Sequence, residues 1–386
     1  MNILFLTAYA PVLHQHGGGV RMFHNIKILA EHHSVRLISF IESDQEREML
    51  RPMENMCESV VAVRRVPDFR PHWLSVRPFL AREFSTREMY LAVDNEFRKK
   101  RVDALQCEYL QMAQFRKPDV FTVLTLHEML SANAYEAFLR ATDAAVKFKL
   151  FYRWMQMLRY ETWMSQKVDR VVTMTKPDAD YLRSYLPGAD IRNIPIGIDP
   201  HEFSPAVEEP SGSLEVLFVG NFRHSPNVEA AEFLIEKIAP RFPAVQFMIP
   251  GSHVPDSFKT RATANVAFPG YIPDTRELYR RPNTIVVAPL FSGTGQRVKL
   301  LEAFSMACPV LTTSIGAMGF PLRHGIEALV ADNVEDFTAE LRRLIASDDL
   351  RRRMGESARQ MIVRDFSWIK LGEQFLHLVE SAAIKQ

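Results

Sequence analysis

Short apolar runs alternate along the chain with longer segments in which apolar positions recur every three or four residues. Seven runs in the first half, at 2–7, 35–39, 59–64, 104–108, 120–126, 170–175 and 191–194, are β-branched and almost continuously apolar. Strands look like this when helices cover both faces of their sheet. Between them the periodicity predicts helices over 20–33, 44–56, 91–100, 143–166 and 176–185. The pattern pauses near 194–200, and a stretch rich in Pro, Glu, Ser and Gly at 205–213 reads as a linker. The alternation then restarts. Strands are predicted at 214–219, 246–250, 266–268, 284–289, 310–312 and 328–330, with helices at 227–240 and 298–307. Helices over 333–346, 348–366 and 368–383 close the chain. The fold class is α/β, with two doubly wound Rossmann-like domains joined near residue 205. Such folds bind ligands at the carboxyl ends of their strands, so a cleft lined by two such edges is the expected site.

Composition narrows this picture only a little. With 386 residues there is material for two ordinary domains, each with its own core. A net charge of +1, without a recognisable motif, gives nucleic acid no handle. Cys57, Cys107 and Cys308 are too few and too scattered for a disulfide frame or a zinc site, which suggests a reducing compartment. The opening MNILFLTAYAP reads as a first buried strand and not as a signal peptide. No apolar run approaches the ~20 residues that span a bilayer. A cytoplasmic protein is expected, with the inner face of the membrane as a further location.

One stretch concentrates the chemistry. SGTGQRVKLLEAFSMACPVLTT, residues 292–313, follows a predicted strand and opens a predicted helix whose tip offers unpaired amides to an anion. Gly293 and Gly295 allow close backbone approach around Thr294. Arg297 and Lys299 add two cations suited to a diphosphate. Glu302, about one turn further on, can accept hydrogen bonds from the vicinal hydroxyls of a ribose. The competing reading is a solvated helix face laced with salt bridges. Its position behind a glycine loop and after a strand favours the nucleotide site.

The run G-T-G-x-R-x-K-L-L-E-A-x-x-x-x-x-P-V-L resembles the nucleotide-sugar loop of retaining glycosyltransferases of family 4, which have the GT-B fold. Other stretches agree in order: GGGVRMFHNIKILAEHHSVRLISF, RVVTMTKPDADYL, NIPIGIDPHEF, VLFVGNFRHSPNVEAAEFLIEKIAP and FPGYIPDTRELY. The resemblance spans nearly the whole chain. It implies an N-terminal acceptor domain, 1–204, joined by a closing helix 366–386 that crosses back to it, and a donor domain over 205–365. It implies that Glu302 binds the donor ribose and that Gly270, Tyr271 and Ile272 meet the base. Gly17, Gly18 and Gly19 would face the donor phosphate or the acceptor, and His127 would sit near the transferred sugar. It also implies a nucleotide-diphosphate sugar as donor, a glycan, lipid-linked or small-molecule acceptor, retention of configuration, and no metal or other cofactor.

Two departures stand out. Thr294 occupies the position, eight residues before Glu302, where the family usually has a sugar-contacting glutamate. Asn221 and Pro226 occupy the positions of an arginine and a lysine. The expectation is a relocated charge clamp built from Arg297 and Lys299, with Arg223 as a weaker helper. The departures also keep open a non-catalytic nucleotide-sugar-binding protein, beside an epimerase or hydrolase of the same architecture.

The remaining signals are less specific. Three successive glycines at 17–19 exceed what one turn requires. Glu128 rivals His127, and His14, His16 and His224 are further candidates. The aromatic, basic segment 147–167 reads as a core helix with snorkelling ends. Its alternative is a helix on anionic lipid, near a second basic region of Arg64, Arg65, Arg70, Arg77, Arg82 and Arg87. Oligomeric state is not legible.

Overall fold

The computed structural model describes residues 1–13, 17–65, 77–205, 213–281 and 283–381. His14, His16, Arg70, most of the linker and the end of the closing helix lie outside these. The chain forms two compact units: Met1–Ile196 with Ile369–Gln386, and Gly197–Trp368. The crossings thus fall at 196/197 and 368/369, where the sequence reading placed them at 204/205 and 365/366.

The first unit is built on seven parallel strands: β1 (Asn2–Thr7), β2 (Ser34–Ile41), β3 (Ser59–Arg64), β4 (Ala104–Glu108), β5 (Phe121–Leu126), β6 (Arg170–Thr173) and β7 (Ile191–Asn193). Their order in the sheet is β3-β2-β1-β4-β5-β6-β7, so the direction of winding reverses between β1 and β4. Side chains alternate across the pleat. Ile3 and Phe5 enter one apolar layer, with Ile26 of the Gly17–His32 helix and Leu371 and Phe375 of the closing Trp368–Glu380 helix. Leu4 and Leu6 enter the other, with Leu105, Leu124 and Phe84. Each such large side chain, buried on folding, contributes about 1.5–3 kcal/mol. Both faces are therefore covered, as the apolar runs required.

The second unit repeats the scheme with β8 (Glu215–Leu217), β9 (Gly220–Asn221), β10 (Gln246–Met248), β11 (Gly251–Ser252), β12 (Val266–Ala267), β13 (Thr284–Ala288), β14 (Val310–Thr312) and β15 (Leu329–Val330). Six of these form a parallel sheet in the order β12-β10-β8-β13-β14-β15, and β9 and β11 form a small parallel pair. Winding reverses between β8 and β13. The chain enters and leaves this unit side by side, because Ile198 exchanges backbone hydrogen bonds with Phe366 and Trp368 at 2.9 and 3.2 Å. Gly197 is fixed there by packing. A Cβ would come within 2.7 Å of the Trp368 ring.

Some elements differ from the reading. The predicted 44–56 helix breaks at Leu50 into Asp44–Met49 and Arg51–Glu54, where Pro52 starts the second piece. The predicted 227–240 helix stops its α geometry at Phe233 and runs on through a π turn and a 3-10 turn ending at Arg241. Helix Leu130–Arg140 was not predicted; its one buried residue is Ser131, and its aromatic face packs on the next helix through Tyr135 and Phe138. Helix Ala144–Ser165 forms where expected, with the Asp143 carboxylate capping the Val146 amide at 2.9 Å. Its front half, however, is exposed and not core.

Candidate active site

The glycine loop and its helix belong to the second unit. Strand β13 ends at Ala288, the loop runs to Arg297, and helix Val298–Ser305 follows. Because β13 pairs with β8 at the reversal point, this loop lies beside the one that leaves β8. Gly293 and Gly295 have φ of 92° and 79°, left-handed values that side chains disfavour. The helix tip has no side-chain cap; the Leu300 amide donates to the Arg297 carbonyl at 2.9 Å, and the amides before it, of Val298 and Lys299, are the ones an anion could take.

The two cations of the loop behave differently. Arg297 turns its guanidinium back onto the loop, donating from Nη1 to the Thr294 carbonyl (2.7 Å) and from Nη2 to those of Gly293 (2.6 Å) and Ser292 (3.3 Å). It braces the curve that the glycines permit. Lys299 instead reaches out of its helix. Its ammonium lies 2.7 Å from Asn227 Oδ1 and 4.3 Å above the Phe218 ring. Phe218 and Asn227 flank the β8 loop, and the Asn227 amide also donates to the Asn221 carbonyl at 2.8 Å. A lysine from one loop thus fills the neighbourhood of the neutral Asn221 and Pro226. Arg223 and His224 are both exposed.

Glu302 accepts from Thr275 Oγ1 at 3.2 Å and from the Tyr279 hydroxyl, which also approaches the Lys299 carbonyl at 3.3 Å. Burial sets the ionisation here. It raises Glu302 to about 7, against the hydrogen bonds from Thr275 and Tyr279. It lowers Lys299 to about 7, with Arg297 adding repulsion and Glu302 opposing it. Burial thus works against both charges, and an anionic ligand beside Lys299 would favour its protonated form. Gly270 accepts from the Gly251 amide at 2.8 Å in left-handed geometry (φ 85°), and next to it Tyr271 stands 65% exposed, followed by Ile272.

The remaining sequence candidates lie in the first unit, at its own reversal point. Gly17, Gly18 and Gly19 open helix Gly17–His32. A Cβ on Gly18 would sit 2.0 Å from the Tyr109 hydroxyl oxygen and 3.2 Å from His127 Nδ1, so the glycine here is a packing requirement. The Tyr109 and His127 rings stack at 4.0 Å and 9°, and Tyr109 takes a left-handed φ of 75°. That strain sits right after β4, a common place for it beside binding sites. His127 Nε2 lies 2.7 Å from the Glu108 carboxylate, which is fully buried and also accepts from Gln106. A carboxylate only accepts, so Nε2 carries the proton. Burial lowers the His127 pKa, Glu108 raises it in opposition, and in the neutral ring Nδ1 is an acceptor buried against Gly18 and Tyr109. Nδ1 has no hydrogen-bond partner among the described residues. Glu128 is exposed.

Several of these groups escaped the sequence. Arg21 is fully buried, and its Nη1 donates to the carbonyls of Ile194 and Pro195 at 2.8 and 2.7 Å. Burial brings its pKa down to about 10, with Glu108 opposing. Glu108, Tyr109, Asn227, Thr275 and Tyr279 were also missed. Arg21, Asn227, Thr275 and Tyr279 lie within stretches that carry the family resemblance, and Glu108 ends a predicted strand, but no local pattern singled any of them out. Among the described residues no three His, Cys, Asp or Glu side chains are grouped to hold a metal ion, and no helix is long and apolar enough to cross a membrane.

Known proteins resemble this chain. Residues 213–347 match the family described as Glycosyl transferases group 1, and residues 16–202 match Glycosyltransferase Family 4. An "Uncharacterized 44.6 kDa protein in cps region" of Klebsiella pneumoniae is 21% identical over 357 residues, covering 86% of this chain and 88% of that one. Sucrose-phosphate synthase from Thermosynechococcus elongatus has a TM-score of 0.78 at 16% identity, with both chains fully covered. Anabaena HepE in complex with UDP and glucose has 0.70 at 14%, covering 98% of this chain and 99% of that one. These structures share its fold.

Proposed function

The chain belongs to the group 1 and family 4 glycosyltransferases of GT-B fold, and from that premise we propose that it moves a hexosyl unit from a nucleotide-diphosphate sugar to an acceptor. The observation that supports this most is the Lys299 ammonium, held by Asn227 over Phe218 beside an uncapped helix tip. The anomeric C–O bond to the diphosphate breaks, and the growing negative charge is met by Lys299 and the amides. Arg297 keeps the loop in shape and adds its charge. Glu302, with Thr275 and Tyr279 behind it, takes the ribose hydroxyls, and Gly270 to Ile272 take the base. HepE was solved with UDP and glucose, which supports uridine as the base to try first.

In the first unit we assign the neighbourhood of His127 to the transferred sugar, and the Gly17–Gly19 helix tip to phosphate or acceptor. The acceptor oxygen attacks the anomeric carbon from the face the diphosphate leaves, and its proton passes to a departing phosphate oxygen. The outcome is retention without a covalent sugar–enzyme bond. No metal is assigned a role. Titration calorimetry with UDP, GDP, ADP and TDP tests the reading. One nucleotide should bind the wild type and bind Lys299→Met at least about tenfold more weakly, from loss of a charge-assisted contact. Binding of none would overturn it, and NMR of the product anomer decides retention.

A further inference from the structure

The helix Ala144–Ser165 has two halves with different surroundings. Its second half sends Met157, Tyr160 and Met164 into the apolar core of the first unit. Its first half has no such cover. Phe148 is 75% exposed, and Val146, Tyr152 and Met155 are also exposed, as is Leu139 at the end of the preceding Leu130–Arg140 helix. Scattered exposed hydrophobics need no explanation, but a concentration does. Of 17 large exposed hydrophobic side chains among the described residues, eight lie between Tyr135 and Trp163.

The hairpin of these two helices is ordered by contacts of its own. Trp154 packs against Tyr135 at 4.7 Å and stacks on Phe138 at 6.1 Å, and Phe151 meets Phe138 at 5.6 Å. The exposed side chains are therefore displayed from a braced platform. The helix itself is basic, while the acids nearest the turn are engaged locally: Asp143 caps the Val146 amide and Glu136 pairs with Arg140. Lys147, Lys149, Arg153 and Arg159 lie between Ala144 and Tyr160, with no Asp or Glu among them. The next acid, Glu161, is fully buried and bound by Leu130 and Ser131.

We propose that the end of this hairpin docks the enzyme on a bilayer surface bearing anionic lipid headgroups. Phe148 and its aliphatic neighbours enter the boundary between headgroup and acyl chain, where aromatic and apolar side chains gain burial without crossing the membrane. The basic side chains lie among the anionic headgroups. Charge complementarity selects this occupant over a second copy of the chain, since a symmetric contact would set one basic stretch against another. The proposal is independent of the donor site, which lies in the other unit.

Co-sedimentation of the full chain with vesicles tests it, comparing phosphatidylcholine alone with phosphatidylcholine containing phosphatidylglycerol. The wild type should bind only the anionic vesicles, and less as salt rises. Lys149→Glu with Arg153→Glu should weaken binding by at least about 25-fold, roughly fivefold for each charge removed. Phe148→Ser should weaken it by about tenfold or more. Both variants should keep the wild-type melting temperature and UDP affinity, which separates lost docking from lost folding. The proposal is overturned if the wild type ignores anionic vesicles, or if Lys149→Glu with Arg153→Glu binds them as tightly as the wild type. It is equally overturned if Phe148→Ser abolishes a concentration-dependent dimer in sedimentation velocity and leaves vesicle binding intact.

Discussion

The two sheets offer the same topological place, the reversal point at their strand ends, and the chain furnishes the two places in opposite ways. In the second unit the groups are ionisable and poised. Lys299 and Glu302 both sit near 7 because burial works against each charge. In the first unit the groups are locked. His127 is kept neutral by burial and fixed in one tautomer by Glu108, Gly18 is pressed onto Tyr109, and Tyr109 carries a strained backbone. Arg21, the buried cation there, spends Nη1 on two backbone carbonyls. A poised site suits a ligand that brings charge, such as a diphosphate. A locked site suits one that brings direction, such as a sugar hydroxyl.

The comparison breaks first at Lys299. Lys299→Met should lower kcat/KM by about 10²–10³-fold, the usual cost of removing a group aimed at developing charge. An effect on KM alone would move Lys299 from transition-state stabilisation to simple binding. Next is the locked pair. His127→Ala should cost about 10²-fold in kcat. Glu108→Gln should cost about tenfold, because an amide can donate to the ring as well as accept from it and no longer fixes the tautomer. If Glu108 acts through His127, the double variant should be no worse than His127→Ala, and additive losses would make its role merely structural.

Gly18→Ala should destabilise the protein by about 2 kcal/mol through overpacking against Tyr109. Adding Tyr109→Phe removes the nearest atom and should recover part of the loss in thermal melts. The smallest effect concerns Glu302. A carboxyl raised in the folded state makes the protein less stable as pH climbs from the ordinary value of 4.5 through about 7, since the folded state holds the extra proton. Glu302→Gln should therefore raise Tm by a few degrees at pH 8 while weakening nucleotide binding. An unchanged Tm would show that burial does not strain this carboxyl.

Much of this was legible before any coordinates. The two parallel sheets followed from continuous apolar runs. The loop with Gly293, Gly295, Arg297, Lys299 and Glu302 was readable because its parts are close in sequence. The partners that give those residues their properties were not. Asn227 and Phe218 meet Lys299 only because β8 pairs with β13, and Tyr279 and Thr275 reach Glu302 from a different segment. Arg297 carries the expected charge, but the sequence could not show its guanidinium turned onto the carbonyls of its own loop. Arg21 and Glu108 were hidden inside a helix and a strand, where polar residues read as ordinary surface. The front of helix Ala144–Ser165 was taken for core because an apolar periodicity is the same whether the cover is protein or something else.

The most direct test of the account is the pH dependence of UDP binding, measured by calorimetry in the wild type and in Lys299→Arg. If burial holds the Lys299 ammonium near 7 and the diphosphate restores its proton, wild-type affinity should fall by up to about tenfold per pH unit above that point, with proton uptake on binding. In Lys299→Arg, whose guanidinium stays charged, the fall should disappear, leaving at most a shallow rise as Glu302 ionises. A flat wild-type profile with no proton uptake, or a fall that survives Lys299→Arg, would contradict it.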